Sequence, residues 1–196
     1  MRYLERDGRA LAVDYLNLPA HAIEPGEELP GYGPYDWARE MDATRAAAGN
    51  DAPWQGKRAR TYKHYVLSPD SGDSIGLDDL RRLTIAWVRE NFDDYEVAVV
   101  YHDDNAGRIP HAHVVVNNTN LRNGFRLQDP EPRALKRSAQ RLAKGMGLSY
   151  LKDAPEGEGP PHRTLQRRYM RRAESKYHLI ILYQSIKSYY LSFHLY

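Results

Sequence analysis

The spacing of apolar residues predicts three helices. Apolar side chains recur every three or four positions across residues 36–48 and 77–92, which is the period of a helix with one buried face. Asp36 stands where a helix N-cap is expected. A third helix is predicted over residues 131–145, where positions again repeat with the helical period.

Several other stretches have the composition of β-strands. Residues 60–69 (RTYKHYVLSP) alternate and end at a proline, and residues 95–102 and 111–118 are rich in valine. The segment RNGFRL, at residues 122–127, predicts a turn that enters a short strand. Helices and strands intermixed over this length indicate a single α+β domain.

The two ends of the chain differ from this pattern. Residues 1–18 begin as a helical pattern and become extended, and Gly8 interrupts any single helix there. Residues 19–35 are rich in proline and glycine and predict a loop. The sequence therefore divides into a domain at residues 1–152, a linker at 153–161, a basic helical segment at 162–176 and a hydrophobic, tyrosine-rich tail at 177–196.

The tail has an unusual composition. It contains no Asp, Glu, Arg, Gly or Pro, and it holds five of the fifteen tyrosines. We interpret it as an aberrant end, such as an out-of-frame or disrupted gene terminus. It is too short and too rich in Tyr and Ser to predict a membrane span, and a segment lying on a membrane surface is the alternative.

Composition favours a soluble protein of the cytoplasm. The 196 residues carry a net charge of +2 and are 41% hydrophobic. The absence of cysteine excludes disulfides, iron–sulfur clusters and thiolate zinc sites, and it fits a reducing compartment. No secretory signal or membrane-spanning run occurs in the first 176 residues. Residues 133–144 and 163–176 are strongly basic, which indicates either a surface facing a polyanion or a solvated helix face.

Three histidines carry the clearest chemical signal. His111 and His113 are two residues apart in a predicted strand, so their rings point to the same face. His102 ends the preceding strand, and the short loop between the strands allows all three rings to converge. Converging neutral imidazoles predict a metal site with three protein ligands and open positions, which is typical of a catalytic metal. A chance arrangement of hydrogen-bonded core histidines is the alternative.

These residues resemble the signature of the relaxases, the mobilisation nucleases of conjugative plasmids and integrative elements. The signature is HxD…HxH…N, here His102, Asp104, His111, His113 and Asn117, and it follows a KHYVLSPD strand-turn and an amphipathic helix. The resemblance covers roughly residues 1–150 and implies a central, mostly antiparallel sheet flanked by helices. The stretch from Asp104 to His111 is about two residues longer than the tightest patterns of this kind, which weakens the match at Asp104.

The resemblance implies metal-dependent, strand-specific nicking of single-stranded DNA at a transfer origin. The three histidines would hold a divalent metal, expected to be Mn²⁺ or Mg²⁺, with Zn²⁺, Ni²⁺ and Co²⁺ as alternatives. A tyrosine would attack the phosphate and form a 5′-phosphotyrosine. Asp104 would orient His102 or help to take the tyrosine proton. Accessory relaxosome proteins are the expected partners, in the cytoplasm of a bacterium.

Two tyrosines are candidates for the nucleophile. Tyr3 lies in RYLERDGRAL, which resembles the nucleophile motif of the family, and Tyr15 lies in VDYLNL. We favour Tyr3; a packing role is the alternative for whichever is not used. The family has a strand before its nucleophile helix, so a nucleophile at Tyr3 predicts that the chain lacks its first strand and is a gene fragment with weak or no nicking activity.

Further residues are predicted to contact DNA. Ser68 in LSPD and Asn117 could contact the backbone, although a turn hydroxyl and a strand-end hydrogen bond explain them equally well. Basic residues of the third helix could follow the phosphates: Lys136, Arg137, Arg141 and Lys144. His64 is interpreted as packing on a sheet face rather than as a fourth ligand.

Three other functions remain open. The chain could be a DNA-binding fragment of a relaxase without a competent tyrosine, a replication-initiator type of nicking nuclease, or an unrelated metal-binding module. A covalent adduct with single-stranded DNA separates an enzyme from a remnant, and salt-dependent DNA binding separates both from the unrelated module.

Overall fold

The computed structural model describes residues 4, 10–18, 36–53, 55–57, 59–70, 72–105, 107–128, 131–149 and 180–184. Five strands and three helices occur in these residues. In chain order they are β1 (Ala12–Leu16), α1 (Trp37–Ala47), β2 (Tyr62–Ser68), α2 (Leu77–Phe92), β3 (Tyr95–His102), β4 (His111–Asn120), α3 (Pro132–Gly145) and β5 (Ile180–Gln184).

The strands form one sheet in the order β1-β3-β4-β2-β5, and every neighbouring pair is antiparallel. The valine-rich strands β3 and β4 lie at its centre, where both faces are covered and nearly all of their side chains are buried. The α+β class with a mostly antiparallel sheet and flanking helices is therefore confirmed.

The element boundaries follow the apolar spacing closely. Helix α2 has the predicted bounds. At the start of α1 the side chain of Asp36 accepts a hydrogen bond from the Arg39 backbone N–H at 3.2 Å, as expected of an N-cap. The prediction of a short strand in RNGFRL is wrong, because this segment makes only an isolated bridge between Thr119 and Arg126.

Helices α2 and α3 cover one face of the sheet. Trp87 of α2 is fully buried there and packs edge-on against Tyr65 of β2, with ring centroids 5.5 Å apart. Its indole N–H donates to the Leu135 carbonyl of α3 at 3.1 Å, so this large core side chain also fixes the two helices together.

Helix α1 and Leu4 cover the opposite face. Trp37 and Met41 of α1 pack with Leu4 against Val100 and Val115. The amide of Asn117 on β4 joins helix and sheet, since it donates to the Met41 carbonyl at 3.0 Å and to the Glu96 carboxylate at 2.6 Å. The three histidines of the sequence motif point to this second face, at the end where β3 and β4 are connected.

Strand β1 forms one edge of the sheet, and the extended pattern predicted at the end of residues 1–18 is confirmed for Ala12–Leu16. The other edge is β5, which pairs with β2 from Ile180 to Gln184 and is not predicted by the sequence pattern. The linker, the basic segment, and the tail apart from residues 180–184 lie outside the described residues. The expectation that a strand is missing before Tyr3 also concerns residues outside them.

Candidate metal centre

The pairing of β3 with β4 brings the three histidines together. His102 lies directly opposite His111, and Val100 lies opposite His113. Because side chains alternate along a strand, His102, His111 and His113 all point to the face covered by α1. The convergence predicted from sequence spacing is confirmed.

The cluster has the dimensions of a metal site. One ring nitrogen from each histidine lies within 4.8 Å of the others. The His113 ring is 4.9 Å from that of His102 and 5.1 Å from that of His111, measured between centroids. All three rings are mostly shielded from water, so a bound ion would replace few hydration contacts of the imidazoles.

The outer nitrogens of two of these rings are held by backbone carbonyls. His102 Nε2 lies 2.6 Å from the Leu4 oxygen, and His111 Nδ1 lies 3.1 Å from the Ile109 oxygen. A carbonyl oxygen only accepts, so His102 Nε2 carries a proton and the lone pair of that ring is on Nδ1. His111 Nδ1 also lies 3.2 Å from the Asn105 amide nitrogen, which is a donor. When Ile109 is the partner that accepts from His111 Nδ1, the lone pair of His111 is on Nε2, which is the arrangement that metal-binding histidines need.

The third ring, His113, contacts a fourth histidine. His113 Nδ1 lies 3.0 Å from His64 Nε2, and the two rings stack with centroids 5.1 Å apart. Burial, together with the neighbouring histidines His64, His111 and His102, lowers the pKa of His113 to about 3. Burial also lowers the pKa of His64. His113 is therefore neutral near neutral pH, the form that binds metals.

His64 lies on the sheet face among buried side chains, as the packing interpretation expects. Its hydrogen bond to His113 is not predicted from the sequence. The alternation of β2 gives the facing direction of His64, but nothing local to β2 shows which residue of β4 it meets.

Asp104 lies on the lone-pair side of the cluster. One carboxylate oxygen is 4.0 Å from His102 Nδ1 and the other is 3.6 Å from His111 Nε2. These distances are too long for hydrogen bonds, and the Leu4 carbonyl already holds the outer nitrogen of His102. Asp104 is thus beside the site that a ligand would occupy, and its predicted part in taking a proton stays a prediction.

Asn105 organises the loop between β3 and β4, and the sequence motif does not include it. Its side-chain oxygen accepts from the backbone N–H of Gly107 at 3.1 Å and of Ile109 at 2.9 Å. Its amide donates to the Ile109 carbonyl at 2.6 Å. Its amide nitrogen also lies 3.2 Å from His111 Nδ1. Asn105 therefore fixes the loop that carries Asp104 and leads into His111. The signal in the sequence is an Asn shortly before a Gly in a tight loop.

Tyr15 shares a face with the histidines but lies away from them. It pairs with Ala98, four residues before His102 on β3, which is roughly 13 Å along the strand at about 3.3 Å per residue. Tyr3, the favoured nucleophile, lies outside the described residues. Its neighbour Leu4 is described, and its carbonyl touches His102.

The predicted DNA contacts differ in their position. Ser68 ends β2 one step beyond the Leu67–Ala112 pair, so it lies on the histidine face close to His111. Asn117 is fully buried and uses its amide inside the protein, as the strand-end alternative expects. A DNA contact by either residue stays a prediction.

The basic residues of α3 lie on the other side of the sheet. Leu135 and Ala139 of this helix pack with α2, on the face opposite the histidines. Arg137 pairs with Glu131 at 3.4 Å, and Arg141 pairs with Glu90. If the basic side chains of α3 contact DNA, they contact nucleotides distant from the histidine cluster.

Comparison with known proteins points to one family. A family model described as relaxase, MobA/VirD2-like nuclease domain, matches residues 23–148. This stretch is more than half of the chain and includes the three histidines, whereas Tyr3 and Tyr15 precede it. A search of curated proteins found no match. Among the described residues, no helix has the length and apolar character needed to span a bilayer.

Proposed function

The chain belongs to the MobA/VirD2-like relaxase nuclease family, and on that premise we propose that it nicks single-stranded DNA by metal-dependent transesterification. The observation that carries the proposal is the state of the three histidines. Each has one nitrogen in a hydrogen-bonding contact, and one nitrogen from each ring lies within 4.8 Å of the others. Core histidines that only pack need hydrogen-bond partners, but packing alone does not require their nitrogens to converge on one point.

These histidines fit a divalent ion. The nitrogens that would hold it are His102 Nδ1, His111 Nε2 and His113 Nε2. When bound, such an ion supplies Lewis-acid polarisation of the scissile phosphate. Three imidazoles accept Mn²⁺, Zn²⁺, Ni²⁺ or Co²⁺ by ligand chemistry, and among oxygen-preferring ions we favour Mn²⁺ over Mg²⁺ because nitrogen donors suit it better.

The chain itself would provide the nucleophile and a proton acceptor. A tyrosine hydroxyl oxygen bonds to phosphorus while the bond from phosphorus to the 3′ oxygen breaks, which leaves a 5′-phosphotyrosine and a free 3′-hydroxyl. The tyrosine proton goes to a base, and the departing 3′ oxygen takes a proton from solvent. Asp104 is the base that we propose, because its carboxylate oxygens lie 4.0 Å from His102 and 3.6 Å from His111. We assign the nucleophile to Tyr3, because its neighbour Leu4 touches His102, whereas Tyr15 pairs with Ala98 well along the strand.

The proposed substrate is the transfer origin of a mobile element in a bacterial cytoplasm, approached with accessory relaxosome proteins. One observation favours the alternative of a DNA-binding remnant: the family match begins after both candidate tyrosines. An experiment has to separate these two functions.

The test uses a single-stranded DNA library of random sequence, because the target is not known. The full chain is incubated with the library and Mn²⁺, and covalent adducts are captured after denaturation and sequenced. We expect adducts with the wild type and Tyr15→Phe, and none with Tyr3→Phe or His111→Ala. Adducts with both tyrosine variants would refute the assignment of the nucleophile. DNA binding without any adduct would establish the remnant.

A further inference from the structure

His64 belongs to the metal centre without being one of its ligands. It lies on β2, opposite Val115, while its neighbour Val66 lies opposite His113. His64 and His113 are therefore diagonal neighbours on the same sheet face. His64 is only 7% exposed, so water does not compete for its contact with His113.

The contact between the two rings holds a single proton. His64 Nε2 and His113 Nδ1 are 3.0 Å apart, which is a hydrogen bond in which either nitrogen can be the donor. If His64 donates, the proton of neutral His113 is on Nε2, and that nitrogen has no lone pair for a metal. If His113 donates, its Nε2 lone pair is free.

The other two histidines have backbone carbonyls beside their outer nitrogens. The Leu4 carbonyl accepts from His102, which fixes the tautomer of that ring. His111 Nδ1 faces the Ile109 carbonyl, an acceptor, and also the Asn105 amide, a donor. Among the described residues, the outer nitrogen of His113 contacts a second imidazole, which can either donate or accept. The tautomer of His113 therefore depends on which of the two rings donates, and a substitution of His64 can change it.

We propose that His64 is a positioning residue that accepts the Nδ1 proton of His113 and so presents His113 Nε2 to the metal. The inference rests on the proposed metal centre and adds a residue that the histidine motif does not contain. It also has a cost, because neutral His64 then carries its own proton on Nδ1. That nitrogen is buried and has no hydrogen-bond partner among the described residues. The free energy of metal binding therefore has to offset the cost of a buried, unsatisfied donor.

Three variants test the proposal by calorimetric titration with Mn²⁺ and with Zn²⁺. His64→Leu removes the acceptor while keeping a bulky side chain, and His64→Gln restores an acceptor through its amide oxygen. Tyr62→Phe is the control, since Tyr62 lies on the same face of β2 and its hydroxyl contacts Asp42 of α1. We expect a metal Kd weaker by about 10- to 100-fold for the Leu variant and within about threefold of wild type for the Gln and Phe variants.

A second measurement does not depend on the variants folding. Nitrogen-15 NMR of the imidazoles in the zinc-loaded wild type should show His113 protonated at Nδ1 and His64 not protonated at Nε2. The opposite assignment would overturn the proposal.

The outcomes also separate the role of His64 from the proposed function. If His113→Ala loses the site and His64→Leu keeps full affinity, His64 only packs, and the metal centre stands without it. If His64→Gln is as weak as His64→Leu, the acceptor role is wrong. If the folded wild type binds neither ion, the metal centre fails and the role of His64 fails with it.

Discussion

At the scale of single residues, the geometry of the site depends on side chains that do not belong to the histidine motif. Asn105 makes three hydrogen bonds within the loop between β3 and β4. They hold Ile109, whose carbonyl accepts from His111. The position of His111, a ligand in the proposed metal centre, therefore depends on an asparagine six residues before it.

Replacement of Asn105 by alanine should weaken metal binding without unfolding the protein. We expect a Kd for Mn²⁺ that is weaker by about 10-fold, at the lower end of the range for residues that support metal ligands. The matched control is Asn123→Ala, because Asn123 also caps a turn through the N–H of Phe125, but at the opposite end of β4. Equal affinities for the two variants, measured by calorimetry, would show that the loop needs no such support.

At the scale of elements, Asn117 joins β4 to both α1 and β3. Its amide donates to the Met41 carbonyl and to Glu96, and Glu96 also accepts from Thr44 of α1 at 2.7 Å. The network is buried, so each of its groups needs the partners that it has. A residue that the sequence motif suggests for DNA contact thus has a visible function inside the fold.

Asn117→Ala should cost stability rather than metal affinity. The substitution leaves the buried carboxylate of Glu96 short of a donor, which we expect to lower the free energy of unfolding by about 2 kcal/mol. Urea denaturation measures this loss, and calorimetry with Mn²⁺ checks that the histidines are intact. A variant of wild-type stability that binds single-stranded DNA more weakly would instead support the DNA contact.

The edge strand β1 is fixed to α2 by an ion pair between Asp14 and Arg81, with distances of 2.5 and 3.0 Å. Burial acts to raise the pKa of Asp14, but Arg81 and a hydrogen bond from Tyr101 together outweigh it, and the pKa is lowered from its usual 3.8. A lowered carboxyl pKa stabilises the fold above the unfolded value of about 3.9, and this contribution is lost as the pH falls through the folded pKa.

Asp14→Asn should therefore destabilise the protein only where the carboxylate is charged. We expect a loss of about 1 kcal/mol at neutral pH, because the pair is partly open to solvent. The difference from wild type should shrink as the pH falls and vanish once the pH lies below the lowered pKa of Asp14. Urea denaturation across this range is the measurement, and a difference that does not change with pH would mean that the ion pair contributes nothing.

Local periodicity is enough to predict most helices and strands. The features that it does not predict depend on pairing between segments that are distant in sequence. Helix α2 is predicted to its boundaries because its apolar spacing is unbroken, and the shared direction of His111 and His113 is predicted because strand alternation is local. The contact of His64 with His113 depends on the register of β2 with β4, which no local pattern encodes. Strand β5 is not predicted for the same reason, because nothing in its apolar sequence indicates that it pairs with β2.

At the scale of the whole molecule, the two faces of the sheet have different tasks. One face holds the histidines, Asp104 and Ser68 at one end, and α1 covers the remainder. The other face packs against α2 and α3 and carries the basic residues of α3. DNA that reaches both regions has to pass around the edge of the sheet.

Salt dependence of DNA binding can test whether α3 takes part. The double variant Arg137→Gln/Arg141→Gln should reduce the slope of log K against log salt by about 0.7 for each phosphate of single-stranded DNA that these arginines neutralise. The control is Arg82→Gln/Arg89→Gln on α2, which also removes two ion-paired arginines. The slopes are measured by fluorescence anisotropy with labelled single-stranded DNA. If the α3 variant has the same slope as the wild type, α3 does not contact the DNA.

The metal centre formed by the three histidines can be tested by calorimetry without knowledge of the DNA target. The purified chain and His111→Ala are titrated with Mn²⁺, after circular dichroism has shown that both are folded. We predict one site in the wild type and none in the variant. A folded wild type that binds no ion, or a variant that binds as tightly as the wild type, would refute the metal centre.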